Sequence, residues 1–79
     1  MKFYGIMDYN KGDEGYDKFY PVGTYDFAEY LRKAKEYALT TFPKKEAGYV
    51  VKMLPALERG EISHIEIDRV SFRVSEVDA

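Results

Sequence analysis

Few residues in this 79-residue chain have both the type and the spacing that chemistry needs. Asp8, Asn10 and Gly12 fall at positions one, three and five of a twelve-residue loop, the alternation that calcium loops use. Such a loop also needs Gly at position six and a bidentate Glu at twelve. Asp13 and Phe19 stand there instead, so the segment reads as a polar hairpin loop. His64, the sole histidine, sits beside Ser63. No carboxylate–histidine–serine order follows, and one histidine cannot build a typical zinc site. Glu66 and Asp68 share a parity, the minimum for a pair of hydrolytic carboxylates, but a solvated strand face produces the same pair. Gly12-Asp13-Glu14-Gly15 is acidic and would repel a phosphate. With no cysteine there is no thiolate nucleophile, thiolate metal site or disulfide framework. The reading is therefore non-enzymatic, without cofactor or metal.

Two clusters suit binding. Five tyrosines (Tyr4, Tyr9, Tyr16, Tyr20 and Tyr25) crowd the first third of the chain beside Asp8, Asp13, Glu14 and Asp17. Tyrosine is amphipathic and favoured at interfaces. Asp13, Glu14, Tyr16 and Asp17 are thus the candidate contacts for a protein partner. Arg32, Lys33, Lys35, Lys44 and Lys45 form the other cluster, a basic helix face running into its loop, suited to a nucleic-acid backbone. Charge is distributed accordingly. Residues 1–30 hold six acids and three bases, residues 31–59 three acids and seven bases, and residues 60–79 five acids and two bases. The formal net charge is -2, and dedicated nucleic-acid binders usually carry a basic excess across the domain.

The elements that must position these residues follow from periodicity. Residues 2–9 alternate as a strand, with Phe3, Gly5, Met7 and Tyr9 on one face and Tyr4 and Ile6 on the other. Asn10 to Gly15 concentrates turn formers. Residues 17–22 return as a second strand, at an edge because Pro21 cannot donate to a ladder. Asp26 is an N-cap, with Glu29 completing a capping box and Tyr25 and Tyr30 a hydrophobic staple. Phe27, Leu31, Ala34 and Ala38 recur at helical spacing, and Pro43 ends this helix near Thr41. Lys44-Lys45-Glu46 reads as a connection, Gly48 to Leu54 as the strongest strand, continuing toward Leu57, and Glu58 to Glu61 as a turn. Ile62 to Val74 reads as one or two strands, because parity switches at Asp68-Arg69, which implies a bulge or a tight turn.

The expected fold is a single α+β domain over residues 1–79. A small, mainly antiparallel sheet of three to five strands carries one amphipathic helix, in the order β(β)αβ(β)β. The face away from the helix would carry Tyr4, Ile6 or similar residues half exposed, and the periodicity leaves open which face is which. The start at Met1, with an apolar run ended at Asp8, reads as a complete small reading frame without a signal-peptide core. No stretch is long enough for a membrane span, and the composition fits a reducing, cytoplasmic compartment. Charges along the last strands favour a monomer over a homodimer.

The run Lys2-Phe3-Tyr4-Gly5-Ile6, the helix from Asp26-Phe27-Ala28-Glu29-Tyr30 to Lys35-Glu36-Tyr37-Ala38, Phe42-Pro43 and Tyr49-Val50-Val51-Lys52-Met53-Leu54 together resemble small proteins of bacteriophages and mobile elements. Among proteins of that style are anti-CRISPR inhibitors of host defence. The resemblance implies a protein-binding inhibitor acting in the host cytoplasm on a larger protein or nucleoprotein complex. Direct nucleic-acid binding through the basic helix face is the alternative.

Overall fold

A computed structural model describes residues 1–10 and 19–78, with the side chains of Phe19 and Tyr20 apart. It shows an α+β domain of four strands and two helices: β1 (Lys2–Asp8), β2 (Phe19–Thr24), α1 (Phe27–Thr41), α2 (Lys44–Arg59), β3 (His64–Ile67) and β4 (Val70–Glu76). The sheet is antiparallel throughout, in the order β2-β1-β4-β3. Both helices lie on one face, α1 over β1 and β2 and α2 over β3 and β4. No helix among the described residues is long and apolar enough to cross a membrane.

The expected order with a single helix is corrected to ββααββ. Residues 48–54 are not a strand but the middle of α2, and Lys44-Lys45-Glu46 is its first turn rather than a connection. Strand parity would have put Lys52 on the same face as Val50 and Leu54. The helix resolves that conflict. Ala47, Val50, Leu54 and Leu57 recur at steps of three and four and are all fully buried, while Lys52 points to solvent. The β-branched pair Val50-Val51 favours a strand locally, but burying that stripe outweighs the preference. Pro55 lies inside the last turns of α2, where it withholds one backbone donor. The helix ends in a Schellman motif: Gly60 is left-handed (φ 76°), Gly60 N donates to the Leu57 carbonyl and Glu61 N to that of Ala56.

α1 forms as its sequence predicts, with different details at its start. Asp26 caps it by accepting from Ala28 N at 3.0 Å. Thr24 Oγ1, not Glu29, accepts from Asp26 N, and then donates to Glu29 at 3.2 Å. Tyr25 packs edge-on against Phe3 (centroids 4.8 Å apart) and not onto Tyr30, so no staple forms. Tyr30 is fully buried, stacks on Tyr4 at 5.3 Å and donates its hydroxyl to the Gly5 carbonyl. Phe42 is extended before Pro43, which ends α1, and the next helix starts immediately.

The sheet faces are assigned by burial. Tyr4 and Ile6 face the helices and are buried rather than half exposed, which decides the choice of face that periodicity left open, and Phe3, Gly5 and Met7 take the outer face. Ile65, Val70 and Phe72 join the inner face, which the parity switch at residues 68–69 makes possible. That switch is a two-residue hairpin turn. Ile67 pairs with Val70, and Asp68 (φ 49°) and Arg69 (φ 65°) are both left-handed, as in a type I′ turn. β2 is an edge strand as expected, and its register shifts beside Pro21, where a missing donor costs least.

Candidate functional site

The helical layer, residues 27–59, holds seven bases against four acids, while the rest of the chain holds five against ten. All seven bases of the layer are exposed, because the apolar stripes of both helices take up the inward positions. On α1 the buried stripe is Tyr30, Ala34 and Ala38. Lys33, Tyr37 and Thr40 lie on the flank beside Pro21 and Val22 of β2. Arg32, Lys35 and Leu39 are on the solvent-facing side of α1 and line a shallow surface depression with Glu36 and Thr40. On α2, Lys45, Tyr49 and Lys52 stand at spacings of four and three, on one exposed stripe. Leu39 and Tyr49 are 54% and 53% exposed, so the layer presents two large apolar side chains set among cations.

Two of the seven cations are neutralised locally. Lys33 Nζ lies 2.6 Å from Glu29, whose carboxyl is held below the usual carboxylate range by that hydrogen bond and charge, with the Thr24 hydroxyl adding to it. Arg59 pairs with Glu61 at 2.7 Å, which lowers the Glu61 carboxyl in the same way. Among the described residues no carboxylate lies within ion-pair distance of Arg32, Lys35, Lys44, Lys45 or Lys52. Lys44 and Lys45 also sit in the first turn of α2, where the helix dipole disfavours cations. The residue before that turn is Pro43, which offers no side-chain acceptor, so the first backbone N–H groups of α2 have no side-chain cap. Lysines without a carboxylate partner among the described residues and amides without a side-chain cap thus meet at one place, with Glu46 the one acid of that turn.

Of the two residue sets singled out by sequence, Asp13, Glu14, Tyr16 and Asp17 lie outside the described residues. The basic set is brought together on one layer, with Lys33 withdrawn into its ion pair. Sequence reasoning missed Lys52, Leu39 and Tyr49. Reading residues 48–54 as a strand hid the Lys45–Tyr49–Lys52 stripe, although the step from Ala47 to Val50 to Leu54 to Leu57 was a signal that could have revealed it. Elsewhere, His64 Nδ1 lies 3.1 Å from Ser63 Oγ, and both residues are exposed. Asp68 is in the hairpin turn, so it does not share a strand face with Glu66. Asp8 is buried and committed to protein groups: Oδ1 accepts from Asn10 N at 2.9 Å and Oδ2 from the Tyr37 hydroxyl. Among the described residues no group of three histidine or carboxylate side chains is placed to hold a metal.

No protein-family model, curated protein or solved structure matches the chain.

Proposed function

We propose that the protein is a non-enzymatic binding module that holds a single-stranded nucleic acid across its helical layer. The observation that carries this reading is the exposed Tyr49 between Lys45 and Lys52, within a field of five cations that have no carboxylate partner among the described residues. Cations track a phosphate backbone and an exposed ring stacks on a base without demanding a sequence. The uncapped first turn of α2 adds backbone donors for a phosphate beside Lys44 and Lys45. The module acts as a monomer, which Pro21 at one sheet edge and the four-residue length of β3 at the other support.

Fluorescence anisotropy with a labelled single-stranded oligonucleotide tests this. Three to five phosphate contacts predict a slope of log affinity against log salt of about -2 to -3.5. Changing Lys45, Tyr49 and Lys52 together to Ala weakens binding by about tenfold or more, from lost stacking and phosphate contacts. No anisotropy change at micromolar protein and low salt would overturn the reading. Inhibition of a host defence complex through Asp13, Glu14, Tyr16 and Asp17 stands as a separate proposal, supported by the acid excess outside the helical layer. Reversing the charge of Asp13, Glu14 and Asp17 distinguishes the two, since nucleic-acid binding by the helices survives that change.

A further inference from the structure

The sheet face turned away from the helices carries a second, independent feature. The register aligns Gly23, Gly5, Arg73 and His64 in one row across all four strands. In the row on one side Phe3 is paired with Ser75, and on the other Met7 is paired with Ser71 and Ser71 with Glu66. Two adjacent glycines leave the middle of the face without side chains. The result is a half-open cavity of about 420 Å³ lined by Phe3, Gly5, Met7, Gly23, Arg73 and Ser75, together with Val22. Gly23 contributes to its shape, because a Cβ there would stand 2.9 Å from Phe3 Cζ and displace that ring. The edge contact with Tyr25 holds the Phe3 ring at the rim.

Arg73 supplies the polar group. Its guanidinium reaches over the glycine row, and Nη1 donates to Met7 Sδ at 3.2 Å, a weak acceptor for a group with five N–H donors. Glu66 stands on a neighbouring row, yet no carboxylate among the described residues lies within ion-pair distance of Arg73. The planar fork of an arginine matches a carboxylate with two parallel hydrogen bonds. Ser75 adds a hydroxyl at the cavity wall, and Phe3 and Met7 add apolar surface. In the adjacent row the buried Ser71 Oγ has no hydrogen-bond partner among the described residues. A half-buried cation with no anion among the described residues, in a cavity with mainly apolar walls, is the pattern of a ligand pocket with one orienting group.

We infer that this cavity binds a small organic carboxylate, the anionic group on Arg73 and an apolar or aromatic body over Gly5 and Gly23 against Phe3 and Met7. The site uses no residue of the helical layer and stands whether or not the helices hold nucleic acid. Amide chemical shifts of the full chain test it, with benzoate as probe and benzamide as its neutral counterpart. Benzoate is expected to shift the Gly5, Gly23 and Ser75 amides to saturation, with benzamide weaker by about tenfold or more, the worth of one charge-assisted contact. Arg73→Gln abolishes that preference. Gly5→Ala places a methyl on the cavity floor at ordinary contact distance, 3.4 Å from the Val22 carbonyl, and weakens benzoate severalfold with Arg73 in place. Unmoved amides, equal response to both probes, or a preference retained in Arg73→Gln would overturn the inference. If Arg73→Gln loses its spectral dispersion, Gly5→Ala decides, and unchanged benzoate binding there removes the site.

Discussion

The two faces of the central strands share one backbone and one register but are filled by opposite rules. Toward the helices, Tyr4, Ile6, Val70 and Phe72 are buried and packed into one continuous core with Tyr30, Leu54 and Leu57. Away from them, Phe3, Gly5, Arg73 and Ser75 surround open space, and only Met7 and Ser71 toward the end of β1 are buried among the described residues of that face. A side chain on the inner face is judged by the volume it fills, because a deletion there leaves a cavity that close-packed neighbours relax into only partly. On the outer face an existing cavity is already tolerated, so side chains there are free to be chosen for what they hold. The sheet thus separates a face that stabilises the fold from one available for recognition.

Paired truncations give the largest expected effect and the most direct way to break this contrast. Phe72→Ala on the inner face is expected to cost about 3–5 kcal/mol, enough to unfold a domain of this size in mild urea. Phe3→Ala, half-buried beside an existing cavity, is expected to cost about 1 kcal/mol. Urea denaturation measures both, with similar slopes against denaturant if the unfolded states are comparable. Equal costs would show that the outer face is packed as tightly as the inner one, and the distinction would fail.

The inner face is not uniformly apolar, and its exception supplies the next test. At the end of β1 the buried Asp8 accepts the Tyr37 hydroxyl. Burial, then the hydrogen bond and charge of Asp8, push the Tyr37 phenol well above its ordinary value; burial alone does the same for Tyr30. Both phenols stay protonated in the folded protein at a pH where the unfolded chain ionises them, beginning near about pH 10. Their contribution to stability is therefore complete below that pH and falls as pH rises toward the folded values. Tyr37→Phe is expected to cost about 1.5–3 kcal/mol at neutral pH, because it leaves a buried carboxylate oxygen short of a donor. It also flattens the alkaline fall. Denaturation midpoints from pH 7 to 11 check both, and a fall as steep as wild type would show that Tyr37 does not carry it.

The same packing logic explains what was legible in the sequence. α1 announced itself through a cap residue, a clean apolar stripe and a following proline, all of them local signals. The break at Asp68-Arg69 was legible because parity reversed there, a local signal as well, though parity alone left a bulge and a turn equally open. α2 was not, since Tyr49 to Leu54 alternates well enough for a strand and only the more distant Ala47 and Leu57 reveal the helical step. The loss of α2 concealed the Tyr49 stripe. The outer-face cavity was beyond reach of the sequence for another reason: Gly23, Gly5 and Arg73 come from three strands, and only the register puts them in one row.

That register rests in part on the β3–β4 turn, where the smallest effect is expected. Asp tolerates the left-handed region, but Arg69 at φ 65° carries a Cβ that this conformation disfavours by about 1–2 kcal/mol. The turn is held in place from outside as well: the Arg69 carbonyl accepts from Tyr9 N at 2.9 Å and the Asp68 carbonyl from Asn10 Nδ2 at 2.7 Å. Both contacts use the backbone, so replacing the Arg69 side chain leaves them intact. Arg69→Gly removes the steric cost but adds freedom to the unfolded chain, for a net gain of about 0.5–1 kcal/mol. Arg69→Ala keeps a Cβ and is expected to change stability by less than about 0.5 kcal/mol. Neither variant moves a residue from one sheet face to the other, so the shifts of the Gly5 and Phe72 amides should be unchanged in both. An equal gain from Ala would trace the effect to the exposed guanidinium. A loss from Gly would show that the turn, and with it the assignment of residues to the two faces, depends on the Arg69 side chain after all.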